Sequence, residues 1–127
     1  MTDRTSDYNI DDVNVLQAVL QTNMPDDSNS FWLSVERDTY PVLSILFKGE
    51  LAYLNYIPND GDAGFVGFAG DGSPFRGQQI SFSMSAYSAD DVVVCGETVF
   101  PRSKAIHVAV EFFNNHEMPS SISWQKI

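Results

Sequence analysis

Residues 40–57 read YPVLSILFKGELAYLNYI, and this stretch decides the fold class of the chain. Residues 42–47 are almost continuously apolar, as expected of a central strand that is covered on both faces. Residues 51–57 alternate between apolar and polar side chains, which predicts a strand with two unlike faces. Because only a short turn around Gly49 separates the two segments, they most simply form a β-hairpin.

Further strand and helix patterns lie on both sides of this hairpin. Additional strands are predicted at residues 31–36, 64–68, 80–85, 92–95 and 122–127. One helix is expected to begin at Asp11 or Asp12, and a second is expected over residues 102–115 after Pro101. Because alternating βαβ units are absent, we expect the α+β class. The expected architecture is a two-layer sandwich, in which an antiparallel sheet of about six to seven strands carries two helices packed on one face.

The composition indicates one acidic globular domain over residues 1–127. Hydrophobic residues make up 43% of the chain, which is enough for it to bury a core of its own. Its 17 acidic and 7 basic side chains give a formal charge of −10, of which −5 falls in residues 57–97. Nucleic acids and anionic lipids are bound through clustered Lys and Arg, so we expect neither as a partner. A basic protein partner is favoured, and a charge that serves solubility alone is the alternative.

Neither a membrane span nor a secretory signal is visible in the sequence. No apolar run approaches the ~20 residues of a span. The first 12 residues contain four aspartates, the opposite of the basic and then apolar pattern of a signal peptide. Cys95 is the only cysteine, so no internal disulfide and no Cys/His zinc site is expected. We therefore expect a cytoplasmic protein without metal or cofactor, in which Cys95 is a small buried hydrophobe.

Motifs that could carry catalysis are weak. The glycines between residues 64 and 72 do not spell GxGxxG or a Walker loop. Residues 60–62 read DGD and begin like a calcium loop, but the later ligands are missing, so a turn is favoured. Ser103, His107 and Glu111 recur at every fourth residue of the second helix. Residues on one helix face point outward side by side, so this set predicts a solvated face and no enzyme is expected.

Aromatic residues outside the expected core stand among aspartates between residues 60 and 75. Such a mixture is typical of protein interfaces, where aromatic side chains supply binding energy and acidic groups steer a basic partner. The alternative is that these phenylalanines point inward and the aspartates only end turns.

Two blocks of the sequence resemble a known family. The first contains WLSV at residues 32–35, YPVLSIL at 40–46, KGELAYLNY at 48–56 and DAGF at 62–65. The second has Phe112 in a helix, then Pro119, then a strand carrying Trp124. In order and spacing, these blocks resemble immunity-protein family one of bacterial polymorphic toxin systems over residues 31–127, whereas residues 1–30 match least.

The resemblance implies a non-enzymatic antitoxin that binds a cognate secreted toxin in the cytoplasm of the producing cell. Several members of the family accompany nucleic-acid deaminases, and others are thought to accompany nucleases. A toxin that acts on DNA or RNA must carry a basic cleft, which an acidic inhibitor would cover. We expect a monomer that forms a one-to-one complex and occludes the active site of the toxin. The expected contacts are Asp60, Asp62, Phe65, Asp71, Phe75, Asp90 and Asp91.

Two other functions stay open at this point. A small enzyme or ligand-binding domain would form its pocket from Trp32, Tyr53, Tyr56 and His107. A structural module would self-associate through an exposed strand edge.

Overall fold

Two α-helices and eight strands are present in the part of the chain that the structure describes. The structure is a computed structural model and describes residues 12–21, 28–36, 39–70, 73–83 and 91–127. In chain order the elements are α1 (Val13–Leu20), β1 (Ser28–Ser34), β2 (Val42–Lys48), β3 (Leu51–Ile57), β4 (Phe65–Phe68), β5 (Gln79–Ser83), β6 (Asp91–Cys95), β7 (Val99–Pro101), α2 (Arg102–Asn115) and β8 (Ser123–Lys126). The predicted α+β class is confirmed.

The predicted hairpin lies in the middle of a six-stranded antiparallel sheet. Strands β2 and β3 pair from Val42 opposite Ile57 to Lys48 opposite Leu51. The strand order is β1-β2-β3-β4-β8, and β7 pairs with β3 beside the shorter β4. The sequence analysis missed β7, because three residues are too few for apolar and polar side chains to show an alternation.

Strands β5 and β6 do not belong to this sheet, although the sequence analysis counted them in it. They pair only with each other among the described strands, and their hairpin packs across β2. Phe82 and Val94 from this hairpin share a buried cluster with Leu46 and Val99. The hairpin thus adds a third layer, so the two-layer expectation is wrong. Alternation predicts a half-buried strand but does not show which sheet the strand joins.

The apolar pattern of β2 follows from its position between two cores. Leu43, Ile45 and Phe47 face the helices, whereas Leu46 faces the β5–β6 hairpin. Both helices pack on the same face of the sheet, as predicted. Neither described helix is long and apolar enough to cross a membrane. Cys95 is exposed, contrary to expectation, because the alternation along β6 turns Val94 inward and Cys95 outward.

Helix α1 begins at one of the two aspartates that the sequence predicts as its cap. The Asp12 carboxylate accepts a hydrogen bond from the Asn14 amide at 2.7 Å, which satisfies a donor of the first turn. Leu16 and Leu20 on the inner side of this helix are buried. Helix α2 spans the residues that the sequence predicts, and Pro101 directly precedes its first turn without a side-chain capping hydrogen bond.

A buried arginine joins α1, the β2–β3 turn and α2. Only 3% of Arg102 is exposed. Its Nε donates to the Gly49 carbonyl at 2.7 Å, and its Nη1 donates to the Leu20 carbonyl at 2.8 Å. The guanidinium carbon lies 4.1 Å from the centre of the Phe47 ring, which is cation–π geometry. One side chain therefore ties together three segments that are distant in the sequence.

Glu111 fixes the segment that leads from α2 into β8. Its Oε2 accepts hydrogen bonds from the Ser120 amide at 2.8 Å and the Ser120 hydroxyl at 2.9 Å. Its Oε1 accepts from the Ser121 amide at 3.2 Å. The Ser120 amide, followed by the other donors, lowers the pKa of Glu111 from 4.5 to about 2.

We expect Glu111→Gln to reduce stability at neutral pH and to have progressively less effect in acid. A lowered folded-state pKa stabilises the fold above the unfolded pKa of 4.5, and this contribution is lost as the pH falls through about 2. The expected loss at pH 6 is about 1 kcal/mol, because solvent screens this partly exposed charge. Urea unfolding at pH 6 and near pH 2.5 measures it, with Glu50→Gln as an exposed control. An equal loss at both pH values would contradict the assignment.

Candidate partner-binding surface

The structure divides the predicted contact residues between two regions. Asp60, Asp62 and Phe65 lie at the β3–β4 connection, where β4 begins. Phe75 lies in the β4–β5 connection, beyond the other end of β4. These residues therefore do not form one continuous set.

Three predicted contacts lie wholly or partly outside the described residues. Asp71 and Asp90 lie outside the described residues, and for Asp91 only the backbone is described. That backbone begins β6 and pairs with Ser83. The predicted roles of these three aspartates stay predictions.

The β3–β4 connection is a tight turn, as the DGD pattern predicts. The Asp62 amide donates to the Asn59 carbonyl at 3.1 Å, and the Asp62 carboxylate accepts from the Gly64 amide at 2.7 Å. Gly64 has a φ of +83°, and a Cβ at this position would collide with the Tyr56 carbonyl oxygen. Asp60 is exposed at the tip of the turn. The turn thus holds one carboxylate internally and presents the other to solvent.

Phe65 and Phe75 are both partly buried against cores. Phe65 packs on the helix side of the sheet, and the Lys126 ammonium lies 5.1 Å from the centre of its ring. Phe75 packs against the cluster that the β5–β6 hairpin forms. Both phenylalanines therefore point largely inward, which is the alternative that the sequence left open.

Hydrogen bonds hold the loop around Phe75 against the start of the Gly96–Thr98 turn. The Ser73 hydroxyl donates to the Gly96 carbonyl at 2.8 Å and accepts from the Phe75 amide at 3.1 Å. The Glu97 carboxylate accepts from the Gly77 amide at 2.8 Å. This hydrogen bond lowers the pKa of Glu97. These contacts attach the loop to the Gly96–Thr98 turn, so its polar side chains are used within the fold.

The β1–β2 connection, which the sequence analysis did not single out, presents apolar and acidic side chains together. Val35 and Tyr40 are 49% and 37% exposed. Glu36, between them, is exposed as well. The Glu36 carbonyl accepts hydrogen bonds from the Ser34 hydroxyl at 2.6 Å and from the Thr39 hydroxyl at 2.7 Å. These two bonds fix the bend after β1.

Trp32 adds a large aromatic side chain close to this connection. It is 41% exposed, although it lies on a strand. The register places it opposite Ser44, which in turn lies opposite Asn55. This row of side chains faces away from the helices. The sequence suggested Trp32 only as part of a ligand pocket. Alternation shows that a side chain lies on one face of a sheet, but it does not show whether other elements cover that part of the face.

The β1–β2 and β3–β4 connections leave the sheet at the same end. Val42, the first residue of β2, lies opposite both Ser34 and Ile57, the last residues of β1 and β3. Residues 35–41 and 58–64 together contain four acidic residues and one basic residue. We call five exposed residues of this region, which carry aromatic, apolar or acidic side chains, the loop-end surface: Trp32, Val35, Glu36, Tyr40 and Asp60.

The four residues expected to form a ligand pocket do not converge. Tyr56 is buried on the helix side of the sheet, 6.2 Å from Phe112 between ring centres. Tyr53 faces the β5–β6 hairpin, and Trp32 is exposed on the same side of the sheet. His107 is exposed on the outer face of α2, in agreement with the predicted solvated face. The prediction that these four residues line one pocket is therefore wrong.

Burial raises the pKa of Tyr56, and the nearby Glu117 carboxylate raises it further, so the hydroxyl stays protonated at neutral pH.

Comparison with known proteins supports the resemblance to immunity proteins. No family model matches the chain. Over 125 residues the chain is 25% identical to the double-stranded DNA deaminase immunity protein of Burkholderia cenocepacia strain H111. The match covers 98% of this chain and 97% of that protein, so it extends beyond the residue 31–127 blocks. A similarity along almost the whole of both chains supports the general immunity-protein class.

Proposed function

We propose that this chain is an immunity protein that binds a cognate bacterial toxin and blocks the activity of that toxin. The observation that carries the proposal is the 25% identity over 98% of the chain to a protein named as an immunity protein. The structure also contains the helix that carries Phe112 and the strand that carries Trp124, on which part of the family resemblance rests. An immunity protein acts by binding, so the chain is proposed to be an inhibitor without catalysis of its own.

The toxin is proposed to act on nucleic acid, as a deaminase or a nuclease does. The relative's name specifies a deaminase of double-stranded DNA. Any protein that binds DNA or RNA presents Lys and Arg to the phosphates. A chain with a formal charge of −10 is complementary to such a surface and would compete with the nucleic acid for it. We propose that the chain acts in the cytoplasm, as a monomer in a one-to-one complex that occludes the active site.

Co-expression tests the proposal. The product of the reading frame adjacent to this one is expressed alone, with this chain, and with an unrelated acidic protein of similar size and charge. We expect growth arrest in the first and third strains, growth in the second, and a soluble one-to-one complex on purification. Persistent arrest in the presence of soluble chain would contradict the proposal. Rescue by the unrelated protein would reduce the effect to charge alone.

A further inference from the structure

We propose that the loop-end surface, formed by Trp32, Val35, Glu36, Tyr40 and Asp60, is the part of this chain that enters the basic nucleic-acid-binding cleft of the toxin. The inference rests on the proposed function and specifies where the chain binds. It moves the centre of the interface away from Phe75, which the sequence analysis included among the contacts.

Exposed aromatic side chains give the first argument. Trp32 and Tyr40 are the most exposed aromatic residues in the described ranges, at 41% and 37%. Val35, at 49%, lies between them in the chain. Trp and Tyr are enriched among the residues that contribute most to binding energy in protein interfaces. The other strongly exposed apolar residues of the described ranges are dispersed over different elements: Val15, Val93, Met118 and Ile127.

Charge gives the second argument. In the described residues of the two connections that meet at this end, Glu36 and Asp60 are acidic and exposed, and none of these described residues is basic. A patch that is apolar at its centre and acidic around it complements a cleft that binds both bases and phosphates. The region around Phe75 is less suitable, because the Phe75 side chain packs inward against the cluster that the β5–β6 hairpin forms.

Preorganisation gives the third argument. The bend after β1 is held by the Ser34 and Thr39 hydroxyls, and the turn before β4 is held by the Asp62 carboxylate. Ordering a loop on binding costs free energy, and a loop that is already folded avoids that cost. These hydrogen bonds therefore hold the described backbone at the bend after β1 and at the turn before β4, from which the side chains of the surface project.

Matched variants test the surface. The probe is the catalytically inactivated toxin domain encoded by the adjacent reading frame, and the measurement is the Kd by calorimetry with the full chain. Val35→Ala is compared with Val15→Ala, since the two side chains are 49% and 47% exposed. Glu36→Gln is compared with Glu50→Gln, which is exposed in the β2–β3 turn at the opposite end of the sheet. Trp32→Ala and Tyr40→Ala test the aromatic centre.

We expect Trp32→Ala to weaken binding by roughly 30-fold or more, and Val15→Ala and Glu50→Gln by less than about 3-fold. Thermal unfolding of each variant checks that it is folded. If Trp32→Ala does not fold, Glu36→Lys in the exposed bend provides the test, with an expected loss of roughly 10-fold. If the wild type binds and every loop-end variant binds equally well, the loop-end proposal is overturned and the proposed function stands. If the wild type does not bind, the proposed function fails, and this inference fails with it.

Discussion

Replacing Arg102 by alanine is expected to lower the free energy of unfolding by about 3 to 5 kcal/mol, because it removes two buried hydrogen bonds from a charged donor that are worth roughly 1.5 to 3 kcal/mol each. The guanidinium donates to the carbonyls of Gly49 and Leu20 and stacks over Phe47. Alanine removes these interactions and leaves the two carbonyls without their charged donor. A loss of this size corresponds to a fall in Tm of roughly 10 °C or more in a domain of this length. Urea and thermal unfolding measure both quantities.

Two further variants separate the geometry of Arg102 from its charge. Arg102→Lys keeps the charge but cannot form the same pair of directed hydrogen bonds while stacking on Phe47, so we expect an intermediate loss. Lys104→Ala removes a more accessible cation from the same helix and is expected to cost less than about 0.5 kcal/mol. An Arg102→Ala variant within 1 kcal/mol of wild type, on the order of an ordinary surface change, would contradict the structural role.

The rate constant for association with the toxin is expected to fall by roughly 10-fold or more between ionic strengths of about 0.01 M and about 0.15 M. The Debye length shortens from roughly 30 Å to roughly 8 Å over this interval, which screens the attraction between a chain of charge −10 and a basic cleft. Dissociation is expected to change much less, because it depends on contacts already formed. Stopped-flow mixing at a series of salt concentrations measures both rates.

A variant with asparagine at the five predicted acidic contacts provides the matched control for electrostatic steering: Asp60, Asp62, Asp71, Asp90 and Asp91. Asparagine at position 62 keeps the side-chain oxygen that accepts from the Gly64 amide, so the turn is expected to persist. We expect this variant to associate more slowly and with a weaker salt dependence. A wild-type association rate that does not change with salt would remove electrostatic steering from the mechanism.

The central hairpin and both helices are predictable from the sequence because each carries a strong local pattern. Residues 42–57 and 102–115 adopt the predicted structures. The position of β5 and β6 is not predictable in this way. The alternation of apolar and polar residues around Phe82 predicts a strand but would be the same in any sheet. Arg102 was treated only as the first residue of a helix. Its acceptors at Gly49 and Leu20 are 53 and 82 positions away, and no local pattern reports such contacts.

The candidate surface was only partly predictable for the same reason. The turn at Asp60 and Asp62 follows from local chemistry and is confirmed. Phe65 was selected for its acidic neighbours, yet it lies largely against the helix-side core. Trp32 and Tyr40 lie on either side of residues 33–39, and no local pattern in the sequence shows that both side chains are exposed. The exposure of a side chain depends on tertiary packing, so it can be determined only from the folded structure.

Titration of the toxin's enzymatic activity shows whether the chain neutralises it. The purified product of the adjacent reading frame is assayed on its nucleic-acid substrate while this chain is added in increasing amounts. We expect the activity to fall linearly and to end at one equivalent of chain, and a large excess of substrate to slow the onset of inhibition. Full activity at a many-fold excess of folded chain would contradict the proposal that this protein inhibits its partner by occupying the active site.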